Sequence, residues 1–146
     1  MEKEKIIEII NEYNDSIFLT GGVSVQQIGD IENKLNVTLP DSYKWFLGQY
    51  GEGILLGIEI YGAGAKKTNI PSCVQFTEKS REDDNLPKEY VMIEELGELA
   101  YCIDTSIFLN NECPIVRWDP INEEVGEGKF DDFYKYLYYR LDEMLD

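Results

Sequence analysis

Apolar side chains recur at helical spacing near both ends of this chain, while its middle alternates short aliphatic runs with glycines. Ile6, Ile9, Ile10 and Tyr13 fall at i, i+3, i+4, i+7 and predict an amphipathic helix over residues 2–13. "SIFLTGG" follows, with Gly21 and Gly22 breaking the chain. Ser24 and Gln27 then have the spacing of a capping box, in which each side chain satisfies the other's free backbone N–H. Val25, Ile28, Ile31 and Leu35 give that second helix one apolar stripe, and Asn36 suits the left-handed residue that ends it. Thr38 and Asp41 repeat the capping spacing, with Pro40 in the first turn, where a missing N–H costs little. Tyr43, Phe46, Leu47 and Tyr50 share one face of the third helix, and Gly51 stops it. Their spacing marks these rings as core packing.

From there the pattern changes period. "ILLGIEIYG" predicts one bent strand or a pair, "GAGAKKTN" a loop, and "IPSCVQFTEKSRE" a short helix with Ile70, Val74 and Thr77 on one side. Strands are predicted over 90–95 and 99–104, joined at Gly97, and again over "PIVRWD". "EEVGEG" predicts a last short edge strand before a turn at Gly126 and Gly128. Phe130, Phe133, Tyr134, Leu137, Leu141, Met144 and Leu145 hold helical spacing to the end, with Asp131 and Asp132 in the first turn, where they complement the helix dipole. The order predicts an α+β fold: N-terminal helices and a C-terminal helix packed against a mainly antiparallel β-sheet, one domain over 1–146.

Charge narrows the function. The 146 residues carry 29 acidic and 13 basic side chains, a net charge of −16, and no histidine. Such a surface repels phosphate backbones and anionic membranes and steers toward basic proteins, so neither a nucleic acid nor a membrane is expected as partner. No stretch has the length of a membrane span, and "MEKEKIIEIINEY" lacks the apolar run of a signal peptide. Cys73, Cys102 and Cys113 are odd in number without C-x-x-C spacing, which predicts reduced packing thiols and a cytoplasmic protein.

The chemistry of a site is missing from the pattern. "GAGAKKT" fails the phosphate-loop spacing, because Ala65 precedes Lys66 and Lys67 follows it. It also fails G-x-G-x-x-G, with Lys67 in the last glycine's place. Without histidine there is no Ser-His or Cys-His nucleophile and no His-liganded metal. Asp83-Asp84 and Glu94-Glu95 lack the calcium-loop pattern. No enzyme and no cofactor are predicted. What stands out is where the acids sit: residues 78–104 carry nine acidic and three basic side chains, and residues 119–146 again nine and three. The candidate partner-binding residues are therefore Asp83, Asp84, Glu89, Glu94, Glu95, Glu98, Asp119, Glu123, Glu124 and Glu127. The pattern sets no oligomeric state.

"VSVQQIGDIENKLNVTLPDSYKWFLGQYGEG" resembles the signature of the SUKH superfamily, a helix I-x-x-x-E-x-x-L followed by L-P-x-x-Y-x-x-F-L and a glycine stop. Ile28, Glu32, Leu35, Leu39, Pro40, Tyr43, Phe46, Leu47 and Gly51 occupy those places, and "LTGG", "IEIYG", "YCIDTS", "CPIVRWD" and "FDDFYKYL" resemble further family segments in order. The resemblance implies an α+β domain whose shared residues build the fold, with partner specificity in variable surface positions. Its bacterial branch supplies immunity proteins encoded beside polymorphic toxins, often nucleases; other branches regulate cell-wall assembly or scaffold signalling. Where relatives often carry a glycine-rich, Asp-containing turn, this chain has "EELGELA", which adds acid. Resemblance and charge together predict an immunity protein that binds a basic cognate toxin, an RNase or DNase, through an acidic surface. The alternative is a regulatory adaptor on the same fold.

Overall fold

In the computed structural model, which describes residues 1–64, 66 and 69–145 and only the backbone of 127 and 128, the first helix α1 (Glu2–Glu12) buries Ile6, Ile9 and Ile10. A 3-10 helix (Asn14–Ser16) leads into β1 (Ile17–Leu19), a strand that hydrophobic periodicity does not predict. Three residues carry no readable period, and the partner strand lies far along the chain. Helix α2 (Val25–Leu35) opens with the expected box: the Gln27 N–H donates to Ser24 Oγ at 3.1 Å, and the Ser24 N–H to Gln27 Oε1 at 3.0 Å. Asn36 ends it at φ 56°. Ile28, Ile31 and Leu35 are buried, but Val25 is exposed because the first turn projects beyond the core.

Helix α3 (Asp41–Gln49) departs from expectation at its start. Pro40 is the cap residue, outside the first turn, and no Thr38–Asp41 box forms. A distant segment does the work. The Asp41 N–H donates to the Asn111 carbonyl at 3.0 Å, and the Ser42 N–H and hydroxyl donate to the Glu112 carboxylate at 3.0 and 2.5 Å. The free amides of the helix end thus meet a tertiary partner, and a carboxylate there also complements the dipole.

Strands β2 (Gly53–Leu55) and β3 (Ile58–Ile60) form a pair, turned by Leu56 and Gly57 at φ 51° and 87°, the two positive-φ residues of a tight hairpin. With β1 they make a three-stranded antiparallel sheet, β1-β2-β3. The predicted loop over 62–69 falls partly outside the described residues. Helix α4 (Ser72–Asp83) buries Cys73, Val74, Thr77 and Ser80; Ile70 precedes the helix and is exposed. Then β4 (Tyr90–Glu95), β5 (Ala100–Asp104), β6 (Ile115–Asp119) and β7 (Glu124–Phe130) form a second antiparallel sheet in sequence order. The expected turn at Gly126 and Gly128 is strand, since Gly126 pairs with Arg117. Phe130 closes β7, and helix α5 (Phe133–Met144) starts from Asp132, whose side chain accepts the Lys135 N–H at 2.9 Å.

Two small sheets replace the one expected, and a bulge joins them. The β4–β5 register slips between Met92 and Glu94, and the Ile93 carbonyl freed there accepts the Tyr61 N–H at 2.8 Å. Thr77 Oγ1 accepts the Met92 N–H at 2.8 Å, so α4 closes the open edge of β4. A chain of rings links the helices to the second sheet: Tyr43 and Phe46 lie 5.2 and 5.4 Å from Phe133, Phe133 5.6 Å from Tyr136, and Tyr136 5.0 Å from Tyr101. The glycine stop after α3 is a close backbone crossing. At Gly51, φ 81°, an added Cβ would stand 2.2 Å from the Gly21 carbonyl and 2.6 Å from that of Ala63.

Candidate functional site

Adjacent acids on β4 meet opposite fates. Glu94 is 3% exposed, beneath α5, and its expected place on the surface is corrected by the sheet. It accepts hydrogen bonds from the Tyr136 hydroxyl at 2.6 Å and from Arg140 Nε and Nη2 at 3.0 and 2.5 Å. The Glu94 carboxylate holds the Arg140 guanidinium well above its ordinary range, and burial followed by that charge pushes the Tyr136 hydroxyl up. Both guanidiniums of the neighbourhood, Arg117 and Arg140, lie within 6 Å of the Tyr101 ring, at 5.9 and 5.8 Å. Glu94 is a fold residue: its charge is spent inside the protein.

Glu95, one position on, is exposed, and it stands where two acidic runs of the sequence meet. Asp84 capping the end of α4, Glu95 at the end of β4 and Gly97 in the turn after it, and Trp118 near the end of β6 and Pro120 just beyond it line one cavity of about 60 Å³. Asn85 Nδ2 donates to Glu123 Oε2 at 3.0 Å, tying the same two segments together. Asp83, Glu98 and Glu124 are exposed on these elements. The fold thus places Asp83, Asp84, Glu95, Glu98, Glu123 and Glu124 on three segments at one end of the second sheet, with Asp83 already paired to Lys79 Nζ at 3.0 Å.

Three candidates behave differently. Asp119 spends its carboxylate on the turn: Oδ1 accepts the N–H groups of Ile121 and Asn122 at 2.9 and 3.2 Å, and Oδ2 accepts Asn122 Nδ2 at 2.7 Å. These bonds, that of the Asn122 side chain first, hold its carboxyl below the ordinary value. Glu89 is exposed but lies elsewhere, lining a groove with Glu32, Thr38 and Phe108. The side chain of Glu127 lies outside the described residues.

The chemistry available at this end is electrostatic. The three thiols are buried, and burial pushes Cys73 and Cys113 up to about 12 and Cys102 higher still, away from the thiolate a nucleophile needs. Among the described residues no group of three or more His, Cys, Asp or Glu is placed to hold a metal ion, and no helix is long and apolar enough to cross a membrane.

The signature residues, by contrast, are all structural. Glu32 Oε2 accepts the Leu39 N–H at 2.8 Å and sits 3.5 Å from Lys44 Nζ, fixing the turn between α2 and α3. The buried Tyr43 hydroxyl donates to the Tyr61 carbonyl at 2.7 Å, tying α3 to the chain leaving β3. Ile28, Leu35, Leu39, Phe46 and Leu47 are core. A family model described as SUKH_5, SMI1-KNR4 cell-wall, matches residues 4–142. The chain belongs to the SUKH superfamily.

A SUKH chain of this sequence is similar to uncharacterized protein YnaB of Bacillus subtilis strain 168, at 34% identity over 100 residues. That match covers 68% of this chain and 62% of the relative's length. A protein from Pseudomonas syringae pv. tomato with a crystal structure shares the fold at TM-score 0.65 and 16% identity, over 89% of this SUKH chain and 93% of that one. Two features of this member lie outside the candidates read from sequence. One is Glu112 at the head of α3, for which a lone half-buried acid gives no local signal. The other is the hairpin over 105–112, whose Ile-Phe-Leu run beside an Asn-Asn pair was legible as an apolar turn.

Proposed function

We propose that this SUKH domain is a bacterial immunity protein, which binds and neutralises a nuclease toxin encoded beside it. The observation that carries the proposal is the gathering of separate acidic runs at one end of a scaffold whose family residues are all engaged in folding. Nuclease toxins hold phosphates in cationic clefts, so a rigid anionic end offers them a substitute for nucleic acid or a plug for the entrance. Opposite fields accelerate capture toward ~10⁸–10⁹ M⁻¹s⁻¹ at low salt, which matters when a lethal enzyme must be silenced early. Binding, with no reaction of its own, is the role. A regulatory adaptor binding a cellular protein is the second reading, favoured by the cell-wall description of the family.

Co-expression of the adjacent gene with this protein separates the two. Wild type is expected to rescue growth from the toxin. Lysine at Asp83, Asp84, Glu95 and Glu98 is expected to slow association at least tenfold, and salt is expected to slow wild type in the same way, as exposed charges are screened beyond ~8 Å at physiological strength. Failure of wild type to protect rejects the immunity role in favour of the adaptor. Unchanged association by the reversed protein rejects the acidic end as the contact.

A further inference from the structure

The hairpin between β5 and β6 holds three consecutive large apolar side chains in water. Ile107, Phe108 and Leu109 are 49%, 43% and 74% exposed. A run of this kind on a folded surface is unfavourable unless something covers it. The segment is also rigid. Asn110 and Asn111 form a two-residue turn at φ 55° and 63°, closed by paired bonds between Leu109 and Glu112, at 2.9 Å from the Leu109 N–H and 3.0 Å from the Glu112 N–H. Its first residues are pinned by Asp104, whose Oδ1 accepts the Ser106 N–H at 3.0 Å, and by Thr105, whose hydroxyl donates to the Glu89 carbonyl at 2.6 Å. Its far side is pinned to α3 through Asn111 and Glu112. Backbone and polar side chains are thus tied down, while the apolar tip is left free.

The surroundings state what kind of surface fits there. Phe108 forms one wall of a groove of about 600 Å³ shared with Glu32, Thr38, Lys88 and Glu89. At the other side stand Glu112, Asp41 and Asp132, close enough that, after burial, the last two push the Glu112 carboxyl up. In the groove Glu32 is paired with Lys44 and Lys88 offsets Glu89, so the negative charge beside the tip is that of Asp41, Glu112 and Asp132. An apolar tip with acids on that flank complements an apolar depression flanked by lysine and arginine, and it opposes a second copy of this acidic chain.

We propose that the 105–112 hairpin is the anchor of the toxin complex: Ile107, Phe108 and Leu109 enter an apolar depression in the toxin's basic surface, and Asp41 meets its cations at the rim. This rests on the immunity role above and adds a second contact to it. The acidic end sets how fast the partner arrives; the hairpin sets how long it stays. Preorganisation supports the division, because a hairpin already ordered loses little freedom on binding.

The test measures association and dissociation separately, using the toxin expressed from the adjacent gene. The triple variant Ile107→Ser, Phe108→Ser, Leu109→Ser is checked for native circular dichroism and a cooperative melt. It is expected to dissociate at least about 100-fold faster with association changed by less than about threefold, the opposite of the lysine variant at the acidic end. If the triple variant does not fold, Leu109→Lys alone, at the most exposed position, is expected to speed dissociation about tenfold. Wild-type binding with dissociation unchanged in the folded variant overturns the anchor and leaves the immunity role standing. Absence of wild-type binding removes the role itself and the anchor with it. A concentration-dependent dimer in sedimentation, lost in the variant while toxin binding persists, also overturns the anchor and assigns the hairpin to self-association.

Discussion

Glu94 and Glu95 are neighbours of identical chemistry, yet one belongs to the interior and the other to the acidic end. In the interior the carboxylate of Glu94 meets Arg140 and the Tyr136 hydroxyl under helix α5, and Arg140 reaches on to the exposed Glu143 at 3.2 Å. At the acidic end Glu95, Asp84 and Glu98 have no salt-bridge partner among the described residues, and the field points outward. The difference follows from the sheet. Successive side chains of a strand face opposite sides, and the bulge at Ile93 decides which of the two acids α5 covers. A run of acids in a sequence is therefore no unit of function; each member must be placed before it is counted as surface.

The largest expected effect tests that contrast directly. Glu94→Ala leaves the buried Tyr136 hydroxyl without its acceptor and the half-buried Arg140 with only the exposed Glu143 carboxylate at 3.2 Å, and is expected to cost about 3 kcal/mol in a denaturant melt. Glu95→Ala is expected to stay within about 0.5 kcal/mol, as for other exposed positions. Equal losses at the two positions would erase the comparison. Phe46→Ala, opening a cavity in the ring chain between α3 and α5, calibrates the upper end at about 3–5 kcal/mol.

Glu112 lies between the extremes, half-buried and bonded to the first turn of α3. Glu112→Ala is expected to lower stability by about 1–2 kcal/mol, the range of a lost helix cap. Glu112→Gln keeps an acceptor for the Ser42 N–H while removing a charge that burial disfavours, so it is expected to cost less than half as much. A glutamine variant as unstable as the alanine one would show that charge, and not the hydrogen bond, holds the helix end.

Titration distinguishes the regions by sign. Burial raises the thiols of Cys73 and Cys113 from 9.0 to about 12. Raised groups contribute stability below their unfolded value and lose it as pH rises through the folded one, so the interior is expected to weaken between pH 9 and about 12. Asp119, lowered by its turn bonds, works the other way: its contribution is present above the unfolded value of 3.8 and fades as pH falls below it. Melting temperatures across pH 8–11, with thiol labelling alongside, check the first; a flat profile with fast labelling at pH 8 would contradict burial of the thiols. Asp119→Asn, compared with wild type from pH 6 down to pH 3, checks the second.

The smallest effect is expected at the acidic end itself. Lysine at Asp83, Asp84, Glu95 and Glu98 is expected to change stability by no more than about 0.5 kcal/mol per position, toward stabilisation at Asp84, Glu95 and Glu98 as like charges are separated, and toward destabilisation at Asp83, which loses its pair with Lys79. A collapse of the melt would place one of these acids in the fold and move the boundary between the two regions.

What the sequence determined by itself is what nearest neighbours decide. The Ser24–Gln27 box, the left-handed Asn36, the apolar stripes of α1 and α2, and the aromatic face of α3 all follow from interactions within a helical turn or two. So did the family, because the signature from Ile28 to Gly51 is one continuous set of turn, cap and core residues. The tertiary structure alone decided the rest. It paired β1 with β2 across the chain, set Pro40 as the cap of α3 and supplied Glu112 in place of a local box, and divided the expected sheet into two that meet at the β4 bulge. It hid Glu94 while bringing Asp84, Glu95 and Glu123 together, and it left Ile107, Phe108 and Leu109 uncovered. These outcomes depend on which distant segment arrives, and periodicity is blind to that: a carboxylate reads the same in sequence whether an arginine forty-six residues away covers it or water does.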